Sequence, residues 1–381
     1  MQYRPFGKLD WKGSALGFGA MRLPTLDDDS GEVDEAEAIR ILRYAIDHGV
    51  NYVDTAYGYH RGKSEVIVGK ALENGYRQRI RLATKLPCWL VNTADDFDRL
   101  LNEQLGRLQT DKIDFYLLHA LSAESWHKVR DLGVLQWAEK QMAAGRVGRL
   151  GFSFHDNYAA FQEIVDAYDN WTFCQIQYNY MDEENQAGTK GLQYAASKGL
   201  ALVIMEPLRG GLLAGEPPQP VRNLWNTATR SRTPGDWALQ WLWNRPEVAV
   251  VLSGMSTMEQ VVQNIDSAGR SSVGLLTAED LALVGRVRDA YQALAPIPCT
   301  DCKYCQPCPN GVNIPRIFAL YNEAMMYNTP QQARIAYERW MKAEERADKC
   351  LECGECESAC PQGIAIIDWL KKTDQFLVAA A

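Results

Sequence analysis

The sequence predicts a (β/α)8 barrel followed by a smaller, mostly helical domain. Short apolar, β-branched segments alternate eight times with longer amphipathic segments up to about residue 265. A repeated strand–helix unit of this kind builds a closed parallel sheet. Pro296 and Pro298 then mark a boundary, and eight of the ten cysteines follow it. We therefore expect the barrel to cover residues 1–295 and the second domain to cover residues 296–381.

The eight strands are predicted from runs rich in branched and aromatic residues. They cover residues 15–21, 50–54, 80–85, 113–119, 149–154, 173–178, 201–207 and 248–254. The rival fold is an open, doubly wound sheet, which has a third glycine in the turn after its first strand. Gly17 and Gly19 are present but that third glycine is absent, and this favours the barrel.

The intervening helices are predicted from apolar spacing and from their end signals. Asp34 begins one helix, with Glu37 as its capping-box partner and Gly49 after its end. Thr93 begins another, which has acidic residues in its first turn. A further helix at 277–295 follows the last strand–helix unit, and the middle of the second domain is also helical in pattern.

Charge and composition restrict the partners. Acidic residues number 48 and basic residues 40, for a net charge of −8. This balance argues against nucleic acid or an anionic membrane as the main partner, because both attract a cationic surface. The amino end has no apolar core of the signal-peptide type, and no apolar run is long enough to span a bilayer. We expect a soluble, cytoplasmic protein with a small-molecule substrate.

Four reactive side chains are predicted to meet at one end of the barrel. Asp54, Lys85 and His119 stand at the ends of the second, third and fourth strands, and Tyr59 follows Asp54 by five residues. The carboxyl ends of barrel strands form one rim. Each residue alone has an ordinary structural explanation, but their joint arrival predicts a site. A lysine cation would lower the pKa of a neighbouring phenol from about 10, and a histidine could orient a substrate oxygen.

The segments DTAYGYH, ATKLP and DFYLLH resemble the aldo-keto reductase superfamily. The opening QYRPFGKLDWKGSALGFGAMRLP resembles that family's initial hairpin and first strand. The resemblance covers residues 1–295 and implies NAD(P)H-dependent reduction of an aldehyde or ketone, or the reverse reaction. It also implies that Tyr59 is the general acid, Lys85 its activator and Asp54 the group that holds Lys85. His119 would orient the carbonyl.

The resemblance further implies a set of cofactor contacts. Gly19 and Met21 would approach the nicotinamide ribose, and Ser153 and Gln175 the carboxamide. The loop at 207–211 resembles the segment around the pyrophosphate, with contacts at Pro207, Leu208, Arg209 and Gly211. The stretch at 253–264 resembles the adenosine-phosphate segment, with contacts at Gly254, Ser256, Gln260, Gln263 and Asn264. Many relatives have cations there that bind the 2′-phosphate of NADP; Gly254 and Gln260 carry none, so both NADP and NAD stay open.

The eight cysteines that follow Pro298 form two similar motifs. The first is C-x2-C-x2-C-x2-C-P and the second is C-x2-C-x2-C-x3-C-P. The second is the bacterial ferredoxin pattern, in which three thiolates hold one cubane and the fourth reaches its neighbour. Two such runs predict two [4Fe–4S] clusters with crossed ligation. One would use Cys299, Cys302, Cys305 and Cys360, and the other Cys308, Cys350, Cys353 and Cys356.

Two alternatives to a pair of iron–sulfur clusters stay open. The first motif is one residue short, so one cluster rather than two is an alternative. Zinc also binds four thiolates, but three thiols at x2 spacing favour iron and sulfur. Cys88 and Cys174 are expected to be buried apolar residues.

The tryptophans at 89 and 126 fit either core packing or the wall of a substrate pocket. His60 and His155 fit the border of such a pocket by position alone.

The combination predicts an oxidoreductase whose ferredoxin-like domain serves electron transfer to a protein partner, or serves structure. Carbonyl reduction moves a hydride, so the clusters have no evident link to the nicotinamide. The alternative is an NAD(P)H-binding redox-sensing or electron-transfer protein with little carbonyl turnover.

Overall fold

The computed structural model describes residues 1–26 and 32–378. It contains two compact units. The first comprises Met1–Ala214 and Gly235–Ala278, and the second comprises Gly215–Pro234 and the chain from Glu279 onward. The predicted domain boundary at residue 295 stays a prediction, since this division also assigns residues 215–234 and 279–295 to the second unit.

The first unit is built on a closed barrel of eight parallel strands, preceded by an antiparallel hairpin. The hairpin strands are β1 (Tyr3–Phe6) and β2 (Leu9–Ser14). The barrel strands are β3 (Leu16–Gly19), β4 (Tyr52–Asp54), β5 (Arg81–Leu86), β6 (Ile113–Leu121), β7 (Val147–Phe154), β8 (Phe173–Gln177), β9 (Ala201–Met205) and β10 (Val248–Ser253). The pairing of β10 with β3 closes the sheet. The predicted fold class is confirmed, and the doubly wound alternative was wrong.

Helices follow the strands and continue through the second unit. They are α1 (Glu35–Asp47), α2 (Lys63–Ala71), α3 (Asp95–Leu108), α4 (Ala123–Asp131), α5 (Val134–Ala143), α6 (Tyr158–Asp166), α7 (Gly188–Ser197), α8 (Gln219–Trp225), α9 (Pro234–Trp243), α10 (Met258–Gly269), α11 (Ala278–Ala293), α12 (Ile314–Tyr327), α13 (Pro330–Arg339), α14 (Glu355–Ser358) and α15 (Ile366–Val378). Within the described ranges, no helix has the length and apolar character that crossing a membrane requires.

Two predicted helix starts have different outcomes. Asp34 caps α1, because its side chain accepts a hydrogen bond from the Glu37 amide at 3.0 Å. The Glu37 carboxylate binds Arg40 at 2.6 Å, so the capping-box pairing was wrong. Helix α3 starts at Asp95, two residues after Thr93. The carboxylate of Asp96 accepts from the amides of Asn92 and Thr93, which precede the helix.

Aromatic rings fill the amino-terminal end of the barrel. Phe6, from the hairpin, lies 4.8 Å from Phe115 and 5.7 Å from Phe173 between ring centroids. Tyr52 and Trp11 pack on the same cluster. The apolar plug closes this end, which leaves the carboxyl ends of the strands as the polar end of the barrel.

The second unit has its own apolar core. Helices α12, α13 and α15 pack around it, with Phe318, Tyr321, Tyr337 and Leu370 among its buried residues. Six of the motif cysteines pack partly buried against this core: Cys299, Cys305, Cys308, Cys350, Cys356 and Cys360. The other two, Cys302 and Cys353, are exposed.

Candidate active site

The barrel brings the four predicted reactive side chains together at its polar end. Asp54 ends β4, Lys85 lies on β5 and His119 lies on β6. Tyr59 begins a short 3-10 turn, Tyr59–Gly62, after β4. Asp54 and Lys85 are only 3% and 1% exposed. A buried charge of either sign requires a partner nearby.

The ammonium of Lys85 has three acceptors. Its Nζ donates to Asp54 Oδ1 at 2.6 Å, to the Thr55 carbonyl at 2.8 Å and to Tyr59 Oη at 3.3 Å. An ammonium has three protons, so all of them are engaged. The second oxygen of Asp54 accepts from Gln175 Nε2 at 3.2 Å. This network directs one cation at the phenol and holds it there.

Burial sets the protonation of this cluster. It raises the pKa of the Tyr59 phenol above its ordinary value, and the charge of Lys85 offsets only part of that effect. The prediction of a lowered phenol pKa was therefore wrong for the protein alone, because desolvation outweighs the neighbouring cation. Burial also raises the pKa of Asp54, against the effect of Lys85. Burial works against the charge of Lys85, yet Asp54 and Tyr59 together raise its pKa.

His119 completes the cluster as a neutral ring. Burial holds its pKa well below 6.5, and the charge of Lys85 lowers it further. Its ring lies edge-on to Tyr59, with 6.0 Å between centroids, and 5.0 Å from the Trp89 ring. Its Nδ1 is buried and has no hydrogen-bond partner among the described residues. A neutral imidazole of this kind can give one N–H to a ligand oxygen.

The predicted carboxamide contacts lie inside the barrel next to the cluster. Ser153 and Gln175 are buried on β7 and β8. The Ser153 hydroxyl accepts from the Ala120 amide at 2.8 Å, and so it holds the chain just after His119. Gly19 ends β3, and a Cβ at this position would lie 3.3 Å from the Ser253 carbonyl oxygen. Met21 is 58% exposed.

The two segments predicted to contact the cofactor phosphates form loops at the carboxyl ends of β9 and β10, on the same side of the barrel as the four reactive side chains. Positive φ angles at Arg209, Gly210 and Gly211 shape the first loop, and Arg209 lies 3.4 Å from Asp182. Pro207 and Leu208 begin that loop. In the second loop the Ser256 amide donates to Gln260 Oε1 at 2.8 Å.

Two further predicted contacts of the second loop bind within the protein. Gln263 binds Glu259 at 2.9 Å, and Asn264 binds Ser253 at 3.1 Å.

Sequence reasoning missed Arg22, which flanks both loops. A side chain at Gly254 would meet Arg22 Cβ at 3.0 Å, and one at Gly210 would meet its guanidinium at 3.3 Å. The Ser256 hydroxyl donates to the Arg22 carbonyl at 2.9 Å. Its position one residue after Met21 was the available signal, but only the folded chain brings it to residues 254–256.

The two tryptophans and two histidines that were considered for a pocket differ in their burial and contacts. Trp126 is fully buried and packs on Trp171, so a pocket role for it was wrong. Trp89 is 51% exposed and its ring lies 5.0 Å from that of His119, so its place in a pocket wall stays a prediction. His60 Nε2 accepts from the Leu23 amide at 3.0 Å and holds the segment after β3. Burial lowers the pKa of His155.

The two cysteines outside the motifs are buried, as expected. Burial raises the pKa of the Cys88 thiol to about 12, and it also raises that of Cys174.

The motif cysteines line two cavities in the second unit. One, of about 190 Å³, is lined by Cys305, Cys308, Cys350, Cys353 and Cys356. The other, of about 20 Å³, is lined by Cys299, Cys302, Cys305 and Cys360. Among the residues described, no three Cys, His, Asp or Glu side chains stand close enough to share a single ion. Each cavity nevertheless contains one complete set of the four thiols that the crossed pattern assigns.

Residues 15–287 match the aldo/keto reductase family, and residues 298–365 match the 4Fe-4S dicluster domain. The chain belongs to the aldo/keto reductase family. The predicted fusion of this aldo-keto reductase with an iron–sulfur domain is confirmed, and so is its assignment as an enzyme of that family.

Individual relatives agree with this membership. The chain is 26% identical to the uncharacterized oxidoreductase YqkF of Bacillus subtilis, over 77% of this chain and 99% of that protein. Aldo-keto reductase AKR11C1 from Bacillus halodurans is 27% identical, with a TM-score of 0.63 over 75% of this chain and 96% of that one. An aldo/keto reductase from Klebsiella pneumoniae, solved in complex with NADP and acetate, is 25% identical, with a TM-score of 0.59 over 75% and 95%.

Proposed function

We propose that this aldo-keto reductase uses NADPH or NADH to reduce an aldehyde or ketone to an alcohol, with Tyr59 as the proton donor. The observation that carries the proposal is the Lys85 ammonium, which is buried and bonded at once to Asp54, the Thr55 carbonyl and Tyr59. A cation held against a phenol stabilises the phenolate that forms when the proton leaves.

The residues around the cluster fit a nicotinamide. Ser153 and Gln175 offer a hydroxyl and an amide beside the cluster, and Gly19 leaves the wall next to Ser253 open. When bound, the nicotinamide supplies the hydride. The chain's own residues hold the carbonyl oxygen between the Tyr59 hydroxyl and an N–H of the neutral His119 ring, which contacts the Tyr59 ring.

Protonation states support this direction of proton flow. Because the pKa of Tyr59 is raised above about 10, the phenol carries its proton at neutral pH. Tyr59 gives that proton to the substrate oxygen, and Lys85 stabilises the charge left behind. Asp54 keeps Lys85 charged and in place. In the reverse direction the same groups would accept the proton of an alcohol.

The loops at 207–211 and 253–264 are the proposed phosphate contacts. Neither Gly254 nor Gln260 carries a positive charge, which supports NADH; the NADP bound by the Klebsiella pneumoniae protein supports NADPH. We propose that the ratio of kcat/KM for the two cofactors decides between them.

For the second unit we propose two [4Fe–4S] clusters. Cys299, Cys302, Cys305 and Cys360 would hold one, and Cys308, Cys350, Cys353 and Cys356 the other. Cys305 lines both cavities, but Cys308 lines only the cavity of Cys350, Cys353 and Cys356, and Cys360 lines only that of Cys299 and Cys302. This grouping supports crossed ligation. Each cavity also includes one exposed thiol, Cys302 or Cys353, which supports exchange of single electrons with a protein partner.

The direct test of catalysis is steady-state oxidation of NADPH and NADH with a panel of aldehydes and ketones, alongside cofactor affinity from fluorescence quenching. Turnover that depends on the carbonyl supports the proposal. Tight cofactor binding with no turnover of any carbonyl would favour the alternative, a redox-sensing or electron-transfer protein.

The test of the clusters is anaerobic purification followed by iron and acid-labile sulfide analysis, with EPR of the dithionite-reduced protein. About eight irons per chain are expected for two cubanes. About four would mean that the shortened first motif holds no cluster, and bound zinc in place of iron would contradict the proposal.

A further inference from the structure

A second buried polar cluster lies behind the reactive one. Its centre is Glu65 on α2, whose side chain is fully buried. One carboxylate oxygen accepts from Thr84 Oγ1 at 2.7 Å and from Gln104 Nε2 at 2.6 Å. The other accepts from Arg107 Nη1 at 3.3 Å. A buried carboxylate without such donors would be strongly unfavourable, so its neighbours are held to it.

One branch of this cluster reaches the backbone of Lys85. The Gln104 amide that binds Glu65 also donates to the Lys85 carbonyl at 3.0 Å. The other end of the same amide accepts from the Tyr116 hydroxyl at 2.7 Å, which fixes its orientation. Thr84 precedes Lys85 on the same strand. Glu65 therefore holds β5 at the residue that carries the ammonium.

The other branch reaches the loop that carries Tyr59. Arg107 donates to the Tyr57 carbonyl at 3.3 Å, and its guanidinium lies 4.0 Å from the centre of the Tyr57 ring. The Tyr57 hydroxyl in turn binds Glu103 at 2.7 Å. Only Gly58 separates Tyr57 from Tyr59, so an anchor on Tyr57 limits where the phenol can be.

The contact that both branches control is the bond between Lys85 Nζ and Tyr59 Oη. At 3.3 Å it is the longest of the three bonds of the ammonium. It is therefore the weakest of the three, and its length depends on where β5 and the loop of Tyr59 place the two side chains.

We propose that Glu65 is a positioning residue, which sets the distance between the Lys85 ammonium and the Tyr59 hydroxyl through Gln104 and Arg107. This inference rests on the proposed function of Tyr59 as the proton donor.

The cluster requires a carboxylate because every neighbour presents a donor. A glutamine at this position has one acceptor oxygen and one NH2 group. Whichever way it turns, its NH2 would face either the Arg107 guanidinium or the donors of Gln104 and Thr84. One branch would then be released while the volume of the side chain stays the same. Glu65→Gln is thus a matched test of the charge and the acceptor pair.

The control is Asp114→Asn. Asp114 is also a buried carboxylate. It binds Arg77 at 2.8 Å, Arg81 at 3.1 Å and the Leu82 amide at 3.0 Å. It therefore holds the same strand, β5, but at the end away from Lys85. Its substitution perturbs the barrel to a similar degree without touching the reactive cluster.

The experiment compares both variants in the full-length holoprotein. We expect Glu65→Gln to lower kcat about 10- to 100-fold, in the range that small misplacements of reacting groups cause, with carbonyl KM and cofactor affinity within about twofold of wild type. The basic limb of the pH profile of kcat should move, because Lys85 contributes to the pKa of Tyr59. Asp114→Asn should change the thermal midpoint but neither kcat nor the pH profile. Equal effects of the two variants on kcat would overturn the proposal.

Arg107→Met tests the loop branch alone, and it covers the case in which Glu65→Gln does not fold. It keeps the apolar stem and removes the guanidinium. We expect a smaller loss in kcat, and in the double variant a loss well below the product of the two single losses, since both act on one distance. A fully multiplicative loss would contradict the shared role.

A second readout separates this inference from the proposed function. The Cζ resonance of carbon-13-labelled Tyr59, assigned with Tyr59→Phe, reports its hydrogen bonding without turnover. Glu65→Gln should shift it and Asp114→Asn should not. If the wild type reduces no carbonyl, the proposed function fails while this shift still supports the positioning role. If the resonance stays in place in Glu65→Gln, the positioning role fails whatever the turnover.

Discussion

At the barrel mouth, every proton of the Lys85 ammonium already has an acceptor within the chain, and Asp54 is held by a second donor, Gln175. In the cysteine-rich unit, the eight thiols line two cavities instead, and two of them are exposed to solvent. The barrel therefore organises its reactive groups with its own hydrogen bonds. In our proposal the thiols of the second unit are ligands of metal clusters, and binding of those clusters would contribute directly to folding.

Because of this difference, we expect substitutions in the two regions to have different effects. Loss of one group at the barrel mouth should impair chemistry while the barrel stays folded, since the aromatic plug of Phe6, Phe115 and Phe173 packs independently of the reactive side chains. Loss of one thiol should impair the local fold of its cluster site.

The largest effect is expected at the phenol. Tyr59→Phe should lower carbonyl turnover by about 10²- to 10⁴-fold, the usual contribution of a general acid, with little change in cofactor affinity. Steady-state kinetics and fluorescence quenching measure the two quantities. Tyr52→Phe is the control, because the Tyr52 hydroxyl is buried without a hydrogen-bond partner among the described residues. Similar losses in both variants, or a parallel loss of cofactor binding in Tyr59→Phe, would count against the assigned role.

The next effect concerns pH. Reduction requires the protonated phenol, so kcat/KM should fall as pH rises through the pKa of Tyr59. Lys85 is the main group that lowers that pKa against burial. Lys85→Met should therefore move this limb to higher pH and weaken the acid, with a loss of up to about tenfold in rate per pKa unit. A limb that stays in place would show that another group titrates.

A double variant separates chemistry from stability at this pair. Lys85→Met leaves the buried Asp54 carboxylate unpaired, which costs about 3–5 kcal/mol of unfolding free energy. The combination Asp54→Asn with Lys85→Met should regain much of that stability in denaturant unfolding but none of the activity. Recovery of activity would contradict the role of the cation.

A smaller effect is expected at the exposed ring beside His119. Trp89→Ala should raise KM for bulky aromatic aldehydes about threefold to tenfold, the scale of one aromatic contact, and leave small aldehydes nearly unchanged. Trp340→Ala is the control, since Trp340 is 81% exposed in the second unit. An equal change for small and bulky substrates would show that Trp89 supports the site and does not contact the substrate.

The smallest change, about twofold in bound iron, is expected when one motif cysteine is substituted. Cys356→Ser should lower bound iron from about eight to about four per chain, and Cys308→Ser should remove the same cluster by EPR. Cys174→Ala, in β8, should leave the iron content unchanged. If Cys308→Ser instead removed the cluster that Cys299→Ser removes, ligation would not cross. Carbonyl turnover in Cys356→Ser reports whether the barrel depends on the clusters at all.

Much of this architecture follows from the order of residues alone. All eight barrel strands lie where periodicity and β-branched runs predict them. Apolar strands that alternate with amphipathic helices bury their apolar faces together when the sheet closes into a barrel. The convergence of Asp54, Lys85 and His119 follows in turn, since consecutive parallel strands end at one rim. The spacing of the cysteines likewise determines the type of metal group, because three thiols at x2 intervals suit a cubane face.

Only the tertiary structure decided which polar groups are buried and which hydrogen-bond partners they have. The pKa of Tyr59 rises although a cation lies beside it, because desolvation of the phenolate raises the pKa more than the charge of Lys85 lowers it. Trp89 and Trp126 have similar places in the sequence, yet one is half exposed and the other fully buried. Glu65 and Arg22 come close to their partners only when distant segments meet. Sequence sets periodicity and chain order, but desolvation and contacts across the fold depend on where the other strands and helices pack.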